Sequence, residues 1–432
     1  MPGASAATHP EPPVYPQIVD WFVTVLRAPL AGLRGADPVL GLAVVVLAAL
    51  VLASLLHRRL RLPRLLGYLL VGAIASPAAL GLLQRTDIDP WKPLIDLAVA
   101  ALVFELGTRL RPRWLLDNRW LAASSALEAI AAGVAVWLAL VALGAPKASA
   151  AAAAACAAAT SPVITMATFL EARPRGQVAE RLLMLSAINC VLAILAIKLW
   201  PVLAHTRVLS APESLTLLAN AGAVIFGSLL LGLACGVLLD RLGRLHDEAA
   251  TMPVLQLALV IVAALLATAW GLSPFVALLV AGMTARSRMR HRLTVQPYLG
   301  SAGAALTVML FVSFGLLSTV EDWRALWPWV LAIVLARLIG KGAAIFATAR
   351  PSGLSWRQAA ALTLALQPMS SLSVMLVADS FGWRTQLPGA EPAVIQALLI
   401  ATTLMQLSGP LWTLWPLKRL AGEAVDDEPN ER

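Results

Sequence analysis

Charge is scarce in this chain. Asp, Glu, Lys and Arg make up 13% of its 432 residues, against roughly 25% in an average soluble domain. Hydrophobic residues fill 59%, and the mean hydropathy is +0.79. That shortage excludes a soluble globular domain and leaves an all-α polytopic membrane protein. Cysteine is scarcer still: Cys156, Cys190 and Cys235 all fall within apolar runs, so neither a paired disulfide framework nor a spaced zinc cluster is legible. The five histidines, His9, His57, His205, His246 and His291, lie in the tail or loops, where solvation explains them. Gly-x-Ser-x-Gly, His-Glu-x-x-His, Gly-x-Gly-x-x-Gly and a phosphate-binding loop are missing, which removes the usual hydrolase, metalloprotease and nucleotide-binding readings. No enzyme, cofactor or resident metal is expected. The net charge of +9 comes from arginine in short loops between apolar runs, the pattern that orients membrane proteins. The expected partner is therefore the lipid bilayer, and nucleic acid is not expected.

What is present is a series of apolar runs. About 17 to 25 apolar residues cross a bilayer core as a helix, and the pattern predicts helices near 38-56, 63-83, 93-108, 120-144, 147-170, 181-204, 214-239, 252-270, 273-285, 300-320, 325-349, 356-381 and 391-417. Residues 1-37 precede them, too polar or interrupted to span and without a secretory signal pattern. Loop charge tests the count, because alternate loops are rich and poor in Arg and Lys. Odd loops hold Arg58, Arg59, Arg61 and Arg64; Arg109, Arg111, Arg113 and Arg119; Arg173, Arg175 and Arg181; Arg241 and Arg244; Arg286, Arg288, Arg290 and Arg292; and Arg350 and Arg357. Even loops hold at most two each. Thirteen spans in a cell membrane follow, with the N-terminus extracytoplasmic and the tail 418-432 cytoplasmic.

Two spans are interrupted. Thr160-Ser161-Pro162 breaks one, and Gln367-Pro368-Met369-Ser370-Ser371 breaks another seven spans later. An odd offset puts the second break in a helix of opposite direction, the pattern of an inverted repeat whose half-helix ends meet at a shared site. Broken backbone at membrane depth survives only where protein or a cavity satisfies it. Asn189-Cys190, Glu128 and Arg337 also lie inside apolar spans, and an ionisable residue there is a functional candidate by default. The alanine-rich run 148 to 159 supplies small side chains, which let helices approach closely.

The chain resembles the monovalent cation:proton antiporters, particularly the branch with glutathione-gated potassium efflux and bacterial sodium/proton exchangers. Leu62-Pro63-Arg64-Leu65-Leu66-Gly67-Tyr68 is similar to that family's opening motif, and Leu102-Val103-Phe104-Glu105-Leu106-Gly107 to its third-helix motif. Trp270-Gly271-Leu272-Ser273-Pro274-Phe275 and Arg337-Leu338-Ile339-Gly340-Lys341 match further motifs in the right order. The resemblance implies a homodimer exchanging a monovalent cation, Na+ or K+, for a proton. Dimer-domain helices would lie near 38-108 and 252-320, a linker at 214-239, and a mobile core near 120-204 and 325-417 that rises and falls like an elevator. Many potassium-efflux members carry a cytoplasmic nucleotide-binding domain; with Gly-x-Gly-x-x-Gly missing and only residues 418-432 after the last span, none is expected in this chain.

At the ion site the sequence departs from this family: the expected Asn-Asp or Asp-Asp pair is Asn189-Cys190. An inert filler, a titrating thiol and a neutral sulfur ligand are all open for Cys190. The transport-site set is Thr160, Ser161, Pro162, Ser186, Asn189, Cys190, Glu128, Arg337, Lys341, Ser370 and Ser371. Glu128 is expected to meet Arg337, as a structural brace or as the displaced ion carrier. Lys341, on the same face as Arg337, supplies a second positive charge or reaches toward the surface. Glu105 and Arg109, four residues apart, are expected to form a local salt bridge. Two rivals remain: a small organic-anion transporter using Arg337 and half-helix N-termini, and a non-transporting homologue acting as membrane scaffold or sensor. If Glu128 fails to reach Arg337, the rivals gain.

Overall fold

The computed structural model describes residues 38–60, 62–76, 79–82, 91–110, 117–204, 211–245, 251–288, 300–316, 323–370 and 392–423. Fifteen helices lie among them. In chain order they are α1 (Pro38–Leu60), α2 (Arg64–Ala75), α3 (Lys92–Arg109), α4 (Arg119–Ala142), α5 (Lys147–Ala158), α6 (Pro162–Ala172), α7 (Gln177–Ala204) and α8 (Ala211–Leu245). There follow α9 (Thr251–Ala269), α10 (Pro274–Arg288), α11 (Gly300–Leu316), α12 (Trp323–Ala349), α13 (Trp356–Ala365), α14 (Pro392–Leu407) and α15 (Gly409–Arg419). Six are long and apolar enough to cross a membrane, or seven if α14 and α15 are one bent span. The chain is a multi-pass membrane protein.

Proline explains most departures from the expected spans. The helix expected over 63-83 stops at Ala75, and Ser76 turns extended at φ −60° and ψ 158°, because the residue before a proline is pushed out of the α region. The span expected at 391-417 is two helices bent by 47°. There Gly409-Pro410 opens α15, and Pro410 can neither donate to the preceding turn nor pack beneath it without a clash. The span expected at 356-381 is helical only to Ala365; beyond Ser370 it lies outside the described residues, as do Ser371 and the segment 1-37.

Burial singles out α7 as the centre. Of its apolar window 72% is buried, against at most 44% in the other five long apolar helices. Around it, α4 lies along α12, and α3 lies along α10 where Gly107 and Gly282 face each other: a Cβ on either would strike backbone of the opposite helix. Two carboxylates tie one end of the bundle together. Glu171, in the last turn of α6, accepts hydrogen bonds from the Arg64 and Leu65 N–H groups at the start of α2. Glu423, beyond α15, accepts from Val178 N–H at 2.6 Å and Ala179 N–H at 3.0 Å at the start of α7. Each meets the positive end of a helix dipole. Burial nevertheless pushes the Glu423 carboxyl above its ordinary range, outweighing these two bonds.

Candidate functional site

Both expected breaks exist, and they meet. After α5 the chain is extended at Ala159, φ −72° and ψ 136°, and Ser161 opens α6 by accepting from Ile164 N–H at 3.3 Å, with Pro162 at the first helical position. After α13 the chain unwinds through Gln367 and Pro368. The two unwound stretches pair as an antiparallel bridge between Thr160 and Met369, with Ser161 N–H donating to Pro368 O at 2.8 Å. The Thr160 hydroxyl donates to Leu366 O at 2.9 Å. Each break thus satisfies part of the other's backbone, as burial requires.

Both first halves, α5 and α13, point their C-terminal carbonyls at this crossing. Each such end carries about half a negative charge. Arg337 of α12 lies across both: its guanidinium donates to Ala157 O, to Leu366 O at 2.8 Å, to Gln367 O at 3.2 Å and to the Thr160 hydroxyl at 3.3 Å. Two half charges balance one guanidinium. Arg337, expected to meet the Glu128 carboxylate, is instead hydrogen-bonded by the helix ends, whose partial charges supply a counter-charge.

Glu128 is the second correction. Its carboxylate Oε2 takes the Lys341 ammonium rather than Arg337, and both side chains are fully buried. Lys341 also donates to Ala158 O at 3.1 Å. Two features of sequence place the pair. Lys341 is one turn beyond Arg337, so both face the crossing. The residue before it, Gly340, lets α12 touch α4, since a Cβ there would strike the Ala131 carbonyl one turn after Glu128.

On α7, Asn189 Nδ2 donates to the Thr160 hydroxyl at 3.4 Å, and the Cys190 thiol donates to Thr160 O at 3.2 Å, with Ser370 Oγ 3.8 Å away. Cys190 is buried and free. Ser186 is turned to its own helix, donating to Leu183 O at 3.0 Å and not to the crossing. Glu128 Oε1, Asn189 Oδ1 and Gln367 Oε1 are buried and without a hydrogen-bond partner among the described residues. Buried acceptors of this kind are uncommon and call for a ligand or a function. The carbonyls of Ala157, Ala158 and Leu366 were not singled out by sequence; their signal was the two breaks, which always free such groups.

A family model of the transmembrane sodium/hydrogen exchanger matches residues 45–419. The chain belongs to that family. Exchangers of this kind are transporters and not enzymes. The chain is 26% identical over 341 residues to a glutathione-regulated potassium-efflux system protein of Haemophilus influenzae. That match covers 75% of this chain and 53% of the relative, so the chain spans about half the relative's length. Its fold is similar to the sodium proton antiporter MjNhaP1 of Methanocaldococcus jannaschii at pH 8, with TM-score 0.67, 17% identity and coverage of 90% of this chain and 100% of that one. A second structure of MjNhaP1, an electron-microscopy map, gives TM-score 0.68 at 17% identity over 87% and 97%. At that identity the likeness establishes the exchanger fold. The Glu105–Arg109 salt bridge, at 3.0 Å, lies on α3 as expected.

Proposed function

We propose that this exchanger-family protein moves Na+ or K+ against protons, and that Glu128 and Lys341 form its exchange couple. One observation carries the reading: a fully buried carboxylate and ammonium meet where two interrupted helices cross. A buried ion pair contributes little net stability compared with apolar residues of the same volume, and ionisable groups at membrane depth mark ion pathways. Lysine can release its proton, whereas arginine stays charged. When Lys341 releases its proton, Glu128 loses its counter-charge and a monovalent cation replaces it. Glu128 Oε1, Asn189 Oδ1 and the unwound carbonyls offer the oxygen ligands that hard cations take. One proton leaves as one cation enters, so the charge of the site is unchanged.

Cys190 takes no part in the charge exchange. Its thiol stands where the resemblance places an aspartate and fills that space while donating to Thr160 O. Glu128 does not reach Arg337, the outcome expected to favour the organic-anion reading, but the carboxylate offsets Lys341 instead and carbonyl oxygens engage Arg337, so neither cation is left open to an anion. The named relatives, a potassium-efflux protein and a sodium proton antiporter, fit cation exchange. The proposal extends to thirteen spans arranged as an inverted repeat, a homodimer, a cytoplasmic C-terminus and elevator-like motion. In it α4 to α7 and α12 to α15 move against α1 to α3 and α9 to α11, with α8 as the link.

The test is intravesicular pH in tight proteoliposomes holding the inserted protein, pulsed in turn with sodium, potassium and lithium salts. Cation-driven proton movement that Glu128→Gln abolishes is the expected result. No movement with any of the three cations overturns the assignment for those ions.

A further inference from the structure

We infer that Glu171 is a latch across the boundary between the two bundles, holding α6 at one height against α2 and opening whenever that height changes. The inference rests on the elevator-like reading proposed above, in which α4 to α7 and α12 to α15 move against α1 to α3 and α9 to α11. Its basis is a helix cap supplied by the opposite bundle. α2 opens at Arg64 behind Pro63, which makes no side-chain cap bond, and the first N–H groups of a helix have no partner within the regular ladder. Leu66 N–H finds Pro63 O at 3.1 Å. The other two, Arg64 N–H and Leu65 N–H, donate to the two carboxylate oxygens of Glu171, which lies 107 residues on from Arg64.

Each end of this contact is fixed in its own bundle. α2 is pressed onto α1 and α11 at its glycines: a Cβ on Gly67 would strike the Ala53 backbone, and one on Gly72 the Val312 carbonyl. α6 is held in the other bundle by Ser161 N–H on Pro368 O and by Ile164, whose side chain packs on Gly409 of α15. Apolar side chains can slide along one another and keep similar contacts, whereas a carboxylate on a helix start is bound at one height only. Beyond the first turn the N–H groups of a helix are engaged within it, and one turn is about 5.4 Å. A slide of that size strips both bonds from Glu171 and leaves the start of α2 uncapped. A hydrogen bond to a charged group shifts an equilibrium about 10- to 100-fold, and Glu171 is half-buried, which places the latch near the lower end. Glu423 is the natural comparison. It caps the start of α7 in the same way, through Val178 and Ala179 N–H, but it joins the end of α15 to α7 inside one bundle, where the motion breaks nothing.

The test is double electron–electron resonance on protein in nanodiscs carrying Arg59→Cys on α1 and Arg357→Cys on α13, both exposed positions, while the three native cysteines are buried and stay unlabelled. Spin-labelled chains are diluted into unlabelled ones so that each distance is read within one chain, in sodium and in potassium salt. Two distances are expected, one of them belonging to the arrangement described here. Glu171→Ala should raise the other distance relative to it by about tenfold, and Glu171→Gln, which keeps one acceptor oxygen, by less. Glu423→Ala should leave the ratio unchanged. Each variant is checked by gel filtration, and Glu171→Gln gives the same direction should Glu171→Ala fold poorly. A ratio that the Glu171 variants leave unmoved, or that Glu423→Ala moves equally, overturns the latch, while the second distance keeps the elevator-like reading in place. A single distance in the wild type and in every variant overturns both.

Discussion

Glu128→Gln tests the buried pair most directly, because the structure gives both its cost and a way to cancel it. The substitution keeps the side-chain volume and removes the charge opposite the Lys341 ammonium, which is fully buried. Breaking a buried pair from one side costs about 3 to 5 kcal/mol. Lys341 retains Ala158 O at 3.1 Å, which places the cost near the lower end of that range. Lys341→Met leaves Glu128 with one buried oxygen already unpartnered among the described residues, so its cost falls nearer the upper end. The double variant carries no buried charge there and leaves chiefly the Ala158 carbonyl short of a donor, about 1 to 3 kcal/mol. It should therefore be more stable than either single variant, which is the opposite of additivity. Denaturant unfolding of the detergent-solubilised protein, followed by tryptophan fluorescence, measures all four members of the cycle. A double variant less stable than both singles would falsify the pairing and remove the basis for the exchange couple.

Three further outcomes follow from the same geometry. One-for-one replacement of a proton by a monovalent cation predicts electroneutral exchange, so proton movement in proteoliposomes should be insensitive to a potassium-valinomycin membrane potential; a rate that tracks the potential contradicts it. Gly340→Ala places a Cβ against the Ala131 carbonyl, forcing α4 and α12 apart; overpacking costs about 1 to 3 kcal/mol, and the variant should unfold earlier and lose cation-driven proton movement. An unchanged unfolding temperature with full activity speaks against that contact. Burial raises the Glu423 carboxyl above its ordinary range, so its contribution to stability is fully present below the usual Glu value of about 4.3 and is lost as pH rises through the raised value. The wild-type unfolding temperature should fall over that window relative to Glu423→Gln, and parallel pH profiles would refute the assignment.

How much was readable without coordinates differs between the scaffold and the site, for physical reasons. Long apolar helices are dictated by one property, the need to satisfy backbone groups within the segment itself, so runs such as 120-144 and 325-349 reappear as α4 and α12 with ends shifted by a few residues. Where proline enters, local rules predicted that a break would occur at Pro162 and Pro368. They did not predict the break at Gly409-Pro410, because the apolar run continues through it. The site depends on which surfaces face one another, and no single segment encodes that. Glu128 needed a basic partner, and the sequence pointed to Arg337, although Lys341 lies on the same face of α12 and is the one that meets the carboxylate. The choice was made by backbone dipoles. The C-terminal ends of α5 and α13 attract the cation that can reach both, which is Arg337 with its several diverging donors. That leaves Lys341, one turn further along beside Gly340, as the cation able to reach Glu128. The consequence is chemical, because the permanently charged arginine holds the broken helices together while the base that can release a proton faces the carboxylate. Exchanging the two side chains would keep every formal charge and remove the only cation of the pair able to give up its proton.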